Sequence, residues 1–322
     1  MCKLEQQERN IIYYINKKTE RFNVDNISRT KAYQTFYQFF PEIKWAFLAS
    51  IVSRNAGWNM TDLQTPIFIN LLSDRIRKQL FSTYERANWL IFSDAYPQLL
   101  IYQLSVKERR PLFQLLDYFS VSVFMKKEWL KFWYHNNQDR LLTALIINER
   151  NIIQSPVTNH PFYKKHVFLN WPYLIQNLIH FNAVILPGNN GYCYAINVDD
   201  FTDTSSRISL GKKLAKALFH PDIYSNIYKF AIKTEHTGSR KDYERNISFI
   251  NKTPGSPILR AVYPIIQHQD HYRKDWFKKT GTKSKWWDEI EIDLKDNNWN
   301  SLCLKRNFLK TFYHIINITQ KN

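Results

Sequence analysis

The amino-acid sequence predicts a mainly α-helical globular protein with one β-hairpin at about residues 183–198. Apolar residues recur at helical spacing along most of the 322-residue chain. Hydrophobic residues make up 44% of the sequence and aromatic residues 16%, which is enough for a packed interior and argues against disorder. Only 7 residues are glycine, so folds with many tight turns are disfavoured.

The helical stripes can be followed in chain order. Ile11, Ile15 and Phe22 lie on one side of a predicted first helix. Residues 42–52 are apolar almost all round, which predicts a central and buried helix. Later stripes contain Met125, Trp129 and Trp133, then Leu141, Leu145 and Ile152, and finally Phe308, Phe312, Ile315 and Ile316.

Four aromatic residues are followed directly by proline, at Phe40-Pro41, Tyr96-Pro97, Trp171-Pro172 and Tyr263-Pro264. Proline lacks a backbone N–H, a loss that costs nothing in the first turn of a helix but removes a hydrogen bond from its interior. We therefore expect these pairs to separate helices.

Residues 183–198 break the helical pattern. Two β-prone runs, 183–186 and 192–198, flank a Pro-Gly-Asn-Asn-Gly turn, which predicts a hairpin that packs on the helices. For the chain as a whole we predict one large helical domain over residues 1–322, with two lobes that divide near 154–161 as the alternative.

The chain is strongly basic, with 45 Lys and Arg residues against 28 Asp and Glu residues and a formal net charge of +17. Between residues 204 and 285 there are 17 basic and 6 acidic residues. Such an excess suggests a polyanionic partner, either nucleic acid or an anionic membrane surface. The candidate polyanion-binding residues are Lys212, Lys213, Lys216, Lys229 and Lys233.

The basic charge has two possible origins that need no polyanionic partner. An AT-rich genome enriches a protein in lysine, asparagine and isoleucine without any selection for binding. Residues 286–296 carry five carboxylates against one lysine, so this acidic strip is able to pair with the basic segment inside the protein.

Several classes of site are excluded by their spacing rules. The glycine patterns of dinucleotide-binding and P-loop folds are absent, as are the HExxH and GxSxG motifs. The three cysteines are far apart, so neither a disulfide framework nor a cysteine zinc site is indicated. We therefore expect no cofactor.

The protein is expected to be cytoplasmic. The N-terminal residues are charged and lack the apolar core of a secretory signal. The longest apolar runs fall far short of the roughly 20 residues that cross a bilayer.

The most distinctive polar run is Ser53–Leu63, which follows the predicted buried helix. One hypothesis is a pocket for an anionic or base-like ligand, formed by Arg54, Asn55, Trp58, Asn59 and Asp62. The second is that Arg54 and Gly57 end one helix before the next begins, with Gly57 in the left-handed conformation. We favour the second hypothesis, and we expect Arg54 to be buried and to donate hydrogen bonds to Asp62 or to backbone carbonyls.

This run, and most of the sequence around it, resembles the YppC-like family of low-GC Gram-positive bacteria, a family defined by a domain of unknown function. The resemblance implies a cytoplasmic bacterial protein. It carries over no catalytic residues.

Histidines give two further candidate sites. His236 precedes Ser239 and Arg240, where a helix N-terminus would attract phosphate, although a turn between helices explains the same residues. His268 and His271 are three residues apart, so they share one face if residues 264–277 form a helix. With His236 or Asp275 they are weak candidates for a metal site or for acid–base catalysis. No known spacing of metal ligands is matched, so we favour solvated histidines and expect no metal.

Three functional hypotheses follow, and the sequence does not decide whether the protein is an enzyme. The first is a basic helical protein that binds nucleic acid or another polyanion. The second is an enzyme of unassigned class with a polar pocket around Arg54–Asp62, and the third is a partner-binding or structural protein. Convergence of Arg54, Asn55 and the histidines on one cleft would favour the enzyme, whereas basic side chains on an open face would favour the binding protein.

Overall fold

The part of the chain that the computed structural model describes contains twelve α-helices and one β-hairpin, which confirms the predicted mainly α-helical fold class. The described residues are 5–161, 183–197, 203–247, 252–269, 273–293, 297 and 299–304. The helices are α1 (Gln6–Phe22), α2 (Asn26–Phe39), α3 (Lys44–Asp62), α4 (Pro66–Leu71), α5 (Asp74–Glu108), α6 (Val123–His135), α7 (Gln138–Ile152), α8 (Thr204–Leu218), α9 (Pro221–Lys233), α10 (Lys241–Glu244), α11 (Leu259–Val262) and α12 (Phe277–Thr280). The remaining elements are two 3-10 helices (Phe113–Phe119 and Ser284–Trp286), a π-helical turn (Gln154–Thr158) and the strands β1 (Ala183–Pro187) and β2 (Cys193–Asn197).

Helix α3 lies at the centre of the fold, as its apolar sequence predicts. Trp45, Phe47 and Trp58 are each no more than 1% exposed. The helix packs against α2, α5, α7, α8 and strand β1. Its main partner α2 begins where the Asp25 carboxylate accepts the Ser28 N–H at 2.7 Å, which satisfies one of the free donors of the first turn.

Residues 53–62 continue α3 instead of ending it. The helix runs to Asp62, and Gly57 lies in its interior without a left-handed conformation. The predicted helix end at Gly57 is therefore wrong. Glycine in a helix interior costs about 1 kcal/mol relative to alanine, so a close contact, described below, has to account for its presence.

The long helix α5 contains Pro97 in its interior, so the expectation that Tyr96-Pro97 separates helices is wrong. Tyr96 is buried beside it, and packing of this kind offsets the backbone hydrogen bond that proline cannot donate. Pro41 does lie between α2 and α3, and Pro264 follows α11. Pro172 lies outside the described residues.

Strands β1 and β2 form the predicted hairpin. They pair antiparallel with Ile185 opposite Ala195. Gly191 in the turn has a φ of 79°, a left-handed conformation that favours glycine. All of β1 is buried, and it contacts α3 and α9, so the hairpin is stabilised by the helices around it.

Residues 263–269 are not helical, so the helix that would place His268 and His271 on one face is absent from this stretch. Tyr263 precedes a proline and is extended, with φ −129° and ψ 132°. Its ring stacks on Phe81 with centroids 3.7 Å apart, and its hydroxyl donates to the Met60 carbonyl at 3.0 Å. These contacts hold the chain in an extended path against α3 and α5.

The described helices share a large apolar core. Its main cluster of buried side chains extends along the chain from Ile15 to Trp286. The single domain and the alternative boundary near 154–161 stay predictions. The predicted stripe from Phe308 to Ile316 lies outside the described residues. Within the described part, no helix has the length and apolar character needed to cross a bilayer.

Candidate functional site

Arg54 caps the C-terminal end of α9. It lies on α3, is 2% exposed, and donates to the carbonyl oxygens of Ala231 at 3.2 Å and Thr234 at 2.9 Å. The last carbonyls of a helix have no partner inside it and form the negative end of its dipole, which suits a cation. Burial lowers the pKa of Arg54 to about 10, so the side chain stays charged at neutral pH. The expected backbone acceptors are present, whereas Asp62 has another partner.

Asn55 completes the hydrogen bonding of strand β1. Its amide donates to the Ile185 carbonyl and its side-chain oxygen accepts the Ile185 N–H, both at 2.8 Å. Asn297 plays the same part for β2, where it accepts the Ala195 N–H at 2.9 Å and donates to the Cys193 carbonyl at 3.1 Å. Since unpaired backbone groups are costly when buried, both asparagines stabilise the hairpin.

Arg240 joins the turn before α10 to the end of α3. Its guanidinium donates to the Asp62 carboxylate through Nε at 3.1 Å and Nη2 at 2.7 Å, and Nη2 also donates to Asn59 at 2.8 Å. Arg240 is 2% exposed and Asp62 is 7% exposed. Burial disfavours the charged guanidinium, but the Asp62 carboxylate outweighs this effect, so the pKa of Arg240 is raised.

Asp242 on α10 collects hydrogen bonds from three residues. It accepts Trp58 Nε1–H at 3.0 Å, the Thr237 N–H at 3.0 Å and the Thr237 hydroxyl at 2.5 Å, and it lies 3.2 Å from His236 Nδ1. Burial alone would raise the pKa of Asp242, but the hydrogen bonds from His236 and Thr237 outweigh it and the pKa is lowered. Burial lowers the pKa of His236 to about 4, so the imidazole is neutral at neutral pH and donates through Nδ1 to the carboxylate.

Gly57 makes room for the ring of His236. A Cβ atom at position 57 would lie 2.7 Å from His236 Nε2 and 3.0 Å from Cε1, which is closer than van der Waals contact allows. His236 Nε2 has no hydrogen-bond partner in the described part of the chain. The glycine is therefore explained by the approach of this imidazole to the backbone of α3.

We call these paired side chains the buried network, which comprises Arg54, Trp58, Asn59, Asp62, His236, Thr237, Arg240 and Asp242. It includes the sequence-predicted pocket residues except Asn55, which binds the hairpin, and Ser239, whose hydroxyl donates to the Ser256 carbonyl at 3.0 Å. The predicted pocket residues do meet, but their hydrogen bonds go to protein atoms. Thr237 and Asp242 were missed, because nothing in the sequence places α10 against α3.

The five candidate lysines fall into two groups. Lys212 is half-buried and donates to the backbone carbonyls of Trp286 and Asp288, and burial lowers its pKa. The acidic strip does contact the basic segment here: its backbone carbonyls accept hydrogen bonds from Lys212, and the nearby Asp288 and Glu289 carboxylates partly offset the lowering of the Lys212 pKa by burial. The exposed candidates are Lys213, Lys216, Lys229 and Lys233.

The candidates predicted from the sequence do not include a lysine-rich segment that comprises the short helix α12 and residues 281–285, which we call the loop. This loop presents four exposed lysines, Lys278, Lys279, Lys283 and Lys285. None of them has a carboxylate within ion-pair distance in the described part of the chain. The sequence signal for this loop is four lysines within eight residues without an acidic residue. The count over residues 204–285 hid this signal, because it averaged the basic excess over a much longer segment.

Aromatic side chains fix both ends of this loop. Trp276 donates through Nε1 to Asn148 at 2.9 Å, and Trp286 donates through Nε1 to Ser205 at 3.1 Å. Phe277 packs on Phe124 with ring centroids 5.6 Å apart. The lysines therefore extend from a loop whose two ends are held in the fold.

An open cleft of about 830 Å³ lies between β2, α8 and residues 285–292. Its charged lining consists of Lys212, Lys213, Lys285, Asp203, Asp288 and Glu291. Because Lys213 of α8 and Lys285 of the loop line the same cleft, the two basic elements are neighbours in space. We call Lys213, Lys278, Lys279, Lys283 and Lys285 the lysine surface.

The second histidine pair is only partly described. His271 lies outside the described residues. His268 lies in the non-helical stretch, with Nε2 3.6 Å from a carboxylate oxygen of Glu85 and its ring beside Trp89. Among the described residues, no three His, Cys, Asp or Glu side chains are grouped so that they would hold a metal ion.

The fold and these two regions define a mainly α-helical protein whose architecture does not by itself assign a function. The chain belongs to the family described as "Protein of unknown function (DUF2515)", whose model matches residues 21–296. It is similar to the uncharacterized protein YppC of Bacillus subtilis (strain 168), with 49% identity over 274 residues that cover 85% of each chain. This confirms the family resemblance. No solved structure matches the chain.

Proposed function

We propose that this protein binds nucleic acid or another polyanion through the lysine surface. The observation that carries the proposal is that the four loop lysines are exposed and without ion-pair partners in the described residues, while their loop is fixed at both ends. Lysines that already have carboxylate partners gain little from a phosphate. Unpaired lysines gain the full benefit of counterion release when they contact a phosphate backbone.

The position of Lys213 extends this surface onto α8. Lys213 and Lys285 line one cleft, so a bound strand that contacts the loop is able to reach the helix. Lys229 and Lys233 on α9 stay candidates for further contacts. A cytoplasmic location is part of the same proposal, since nucleic acid is abundant there.

The enzyme hypothesis around Arg54–Asp62 has less support. The polar groups of this run mostly have protein partners, as Arg54 has with α9, Asn55 with β1 and Asp62 with Arg240. A substrate would have to displace these hydrogen bonds, each within a buried environment where an unpaired group is costly.

The test is a fluorescence titration of labelled single-stranded and duplex oligonucleotides at several salt concentrations. The variant replaces the four loop lysines by glutamine, and the matched control replaces four lysines that have carboxylate partners, Lys17, Lys78, Lys126 and Lys131. Both variants lose the same charge. We expect the loop variant to reduce the slope of log affinity against log salt by up to about 3–4 units, and the control to change it by less than about 1 unit.

Equal slopes in the loop variant and the control would show that binding depends on net charge alone. This result would contradict the assignment of binding to the lysine surface. The absence of binding by the parent protein at low salt would contradict the function itself.

A further inference from the structure

We propose that the cleft beside the lysine surface binds one nucleoside phosphate, either a free mononucleotide or an unpaired nucleotide of a strand. The proposal rests on the proposed function for the lysines that receive the phosphate. It adds the class of ligand, a nucleotide whose sugar and base enter the cleft. Where the nucleotide belongs to a strand, its base leaves the stack of neighbouring bases.

The size of the cleft fits this ligand. Its volume of about 830 Å³ is within the range of about 300–1,000 Å³ that is usual for sites of small molecules and cofactors. A stacked duplex would have to unpair a base before any part of it entered such a cleft, at a cost of a few kcal/mol. The cleft therefore favours free nucleotides and single strands over duplexes.

The charges of the cleft favour a ligand with one anionic end. Lys213 and Lys285 are exposed and have no carboxylate within ion-pair distance in the described residues, although Lys285 is near enough to Asp203 to contribute to the lowered pKa of that carboxylate. Asp203, Asp288 and Glu291 line the same cleft, and they would repel a ligand that is anionic along its whole length. A nucleotide satisfies both conditions, because its phosphate is charged while its sugar and base are neutral.

The remaining lining suits the neutral part of the nucleotide. Ser205 accepts the Trp286 Nε1–H at 3.1 Å, which leaves its own hydroxyl proton to donate, and Ser209 also lines the cleft. Carboxylates are acceptors for the hydroxyls of a ribose and the amino group of a base. Apolar contact for a flat base comes from Ile196, Ile290 and Ile292.

The experiment measures binding of AMP, adenosine and inorganic phosphate to the full-length protein by isothermal titration calorimetry. We expect AMP to bind at least about tenfold more tightly than either fragment, since each fragment lacks one half of the contacts. We also expect AMP to displace a labelled single-stranded oligonucleotide, which would show that a free nucleotide and a strand use the same cleft.

Two variants test the location. Ser209→Trp fills the cleft without changing the charge, and Ser225→Trp places the same residue on an exposed position of α9 as a control. We expect Ser209→Trp to abolish AMP binding and the preference for single strands, with the control unchanged. If Ser209→Trp does not fold by circular dichroism, Lys213→Gln replaces it, with an expected loss of AMP affinity of about fivefold or more.

AMP binding that is no tighter than the binding of inorganic phosphate, or that survives both cleft variants, would overturn the proposal. This outcome is distinct from failure of the proposed function. Oligonucleotide binding with a steep salt slope but no competition by AMP would contradict nucleotide binding in the cleft and would support binding by the lysine surface. Saturable AMP binding without any oligonucleotide binding would support the nucleotide site in the cleft and would contradict the proposed polyanion-binding function.

Discussion

The buried network and the lysine surface both concentrate polar side chains, but they use their charges in opposite ways. In the buried network, Arg240 is held by Asp62, Arg54 caps a helix, and the Asp242 carboxylate accepts hydrogen bonds from neighbouring residues. On the lysine surface, the side chains are exposed and no ion pair in the described residues involves them. The first arrangement ties α3 to α9 and α10, and the second leaves charge available to a partner.

Stability and binding therefore depend on different sets of charges. Buried, paired charges are costly to break, since removal of one partner leaves the second without compensation. Exposed, unpaired charges contribute little to folding, so they are free to be used for association. A distinctive polar run in the sequence is an ambiguous guide to function until the partners of its side chains are known.

The largest effect is expected for Arg240→Met. This change keeps the aliphatic stem but leaves the Asp62 carboxylate buried without its cation, which we expect to lower the free energy of unfolding by about 3–5 kcal/mol. Urea denaturation measures the change, with Arg245→Met at an exposed position as the control. Similar stabilities of the two variants would show that the Asp62 pair does not hold the fold.

A second effect depends on pH through His236. Its pKa is about 4 in the folded protein against 6.5 as the ordinary value, so the unfolded chain binds the proton more readily. The contribution of neutral His236 to the free energy of unfolding is fully present above pH 6.5 and is lost as the pH falls from 6.5 towards 4. Between pH 7 and pH 5 the parent should lose about 1–2 kcal/mol more than His236→Gln. Parallel losses in both proteins would place the titrating group elsewhere.

A smaller effect is expected for Gly57→Ala, whose effect on stability should reverse its sign when the His236 ring is removed. In the parent, Gly57→Ala should destabilise the protein, because the new methyl group meets the His236 ring. In the background of His236→Ala, the same substitution should stabilise it by about 1 kcal/mol, since alanine favours the helix interior. A double-mutant cycle by chemical denaturation measures both steps. The same sign in both backgrounds would mean that the imidazole is not the reason for the glycine.

The smallest effect on stability is expected for the four-lysine loop variant. Surface substitutions away from buried contacts usually change the free energy of unfolding by no more than about 0.5 kcal/mol. We expect this variant and the parent to have the same free energy of unfolding in urea denaturation. A larger loss would show that the loop lysines stabilise the fold and would weaken their assignment to binding.

The sequence predicted those parts of the fold that depend on local pattern. The buried centre of α3, the stripes of α1, α6 and α7, and the hairpin follow from the spacing of apolar residues and from the Gly/Asn turn. Gly57 and Pro97 were misplaced because their local preference is to end or interrupt a helix. Tertiary contacts decide both positions: the His236 ring lies against Gly57, and buried neighbours surround Pro97.

The sites were less predictable, because they depend on partners that are distant along the chain. The sequence identified Arg54, Asp62, His236 and Arg240 as unusual, but it contained no sign that Arg240 pairs with Asp62, 178 residues away. It also named Lys212 as a candidate polyanion-binding residue, whereas the structure directs its ammonium to backbone carbonyls of residues 286 and 288. Net charge indicates a class of partner and not the residues that meet it.

Lysine acetylation footprinting by mass spectrometry, with and without a bound single-stranded oligonucleotide, tests most directly whether the lysine surface binds. We predict protection of Lys213 and of the loop lysines 278, 279, 283 and 285, because a bound strand covers them. Lys17 and Lys78, which are exposed and paired with carboxylates on α1 and α5, should be acetylated equally in both states. Protection of Lys17 and Lys78 with full reactivity of the loop would contradict the assignment of binding to the lysine surface.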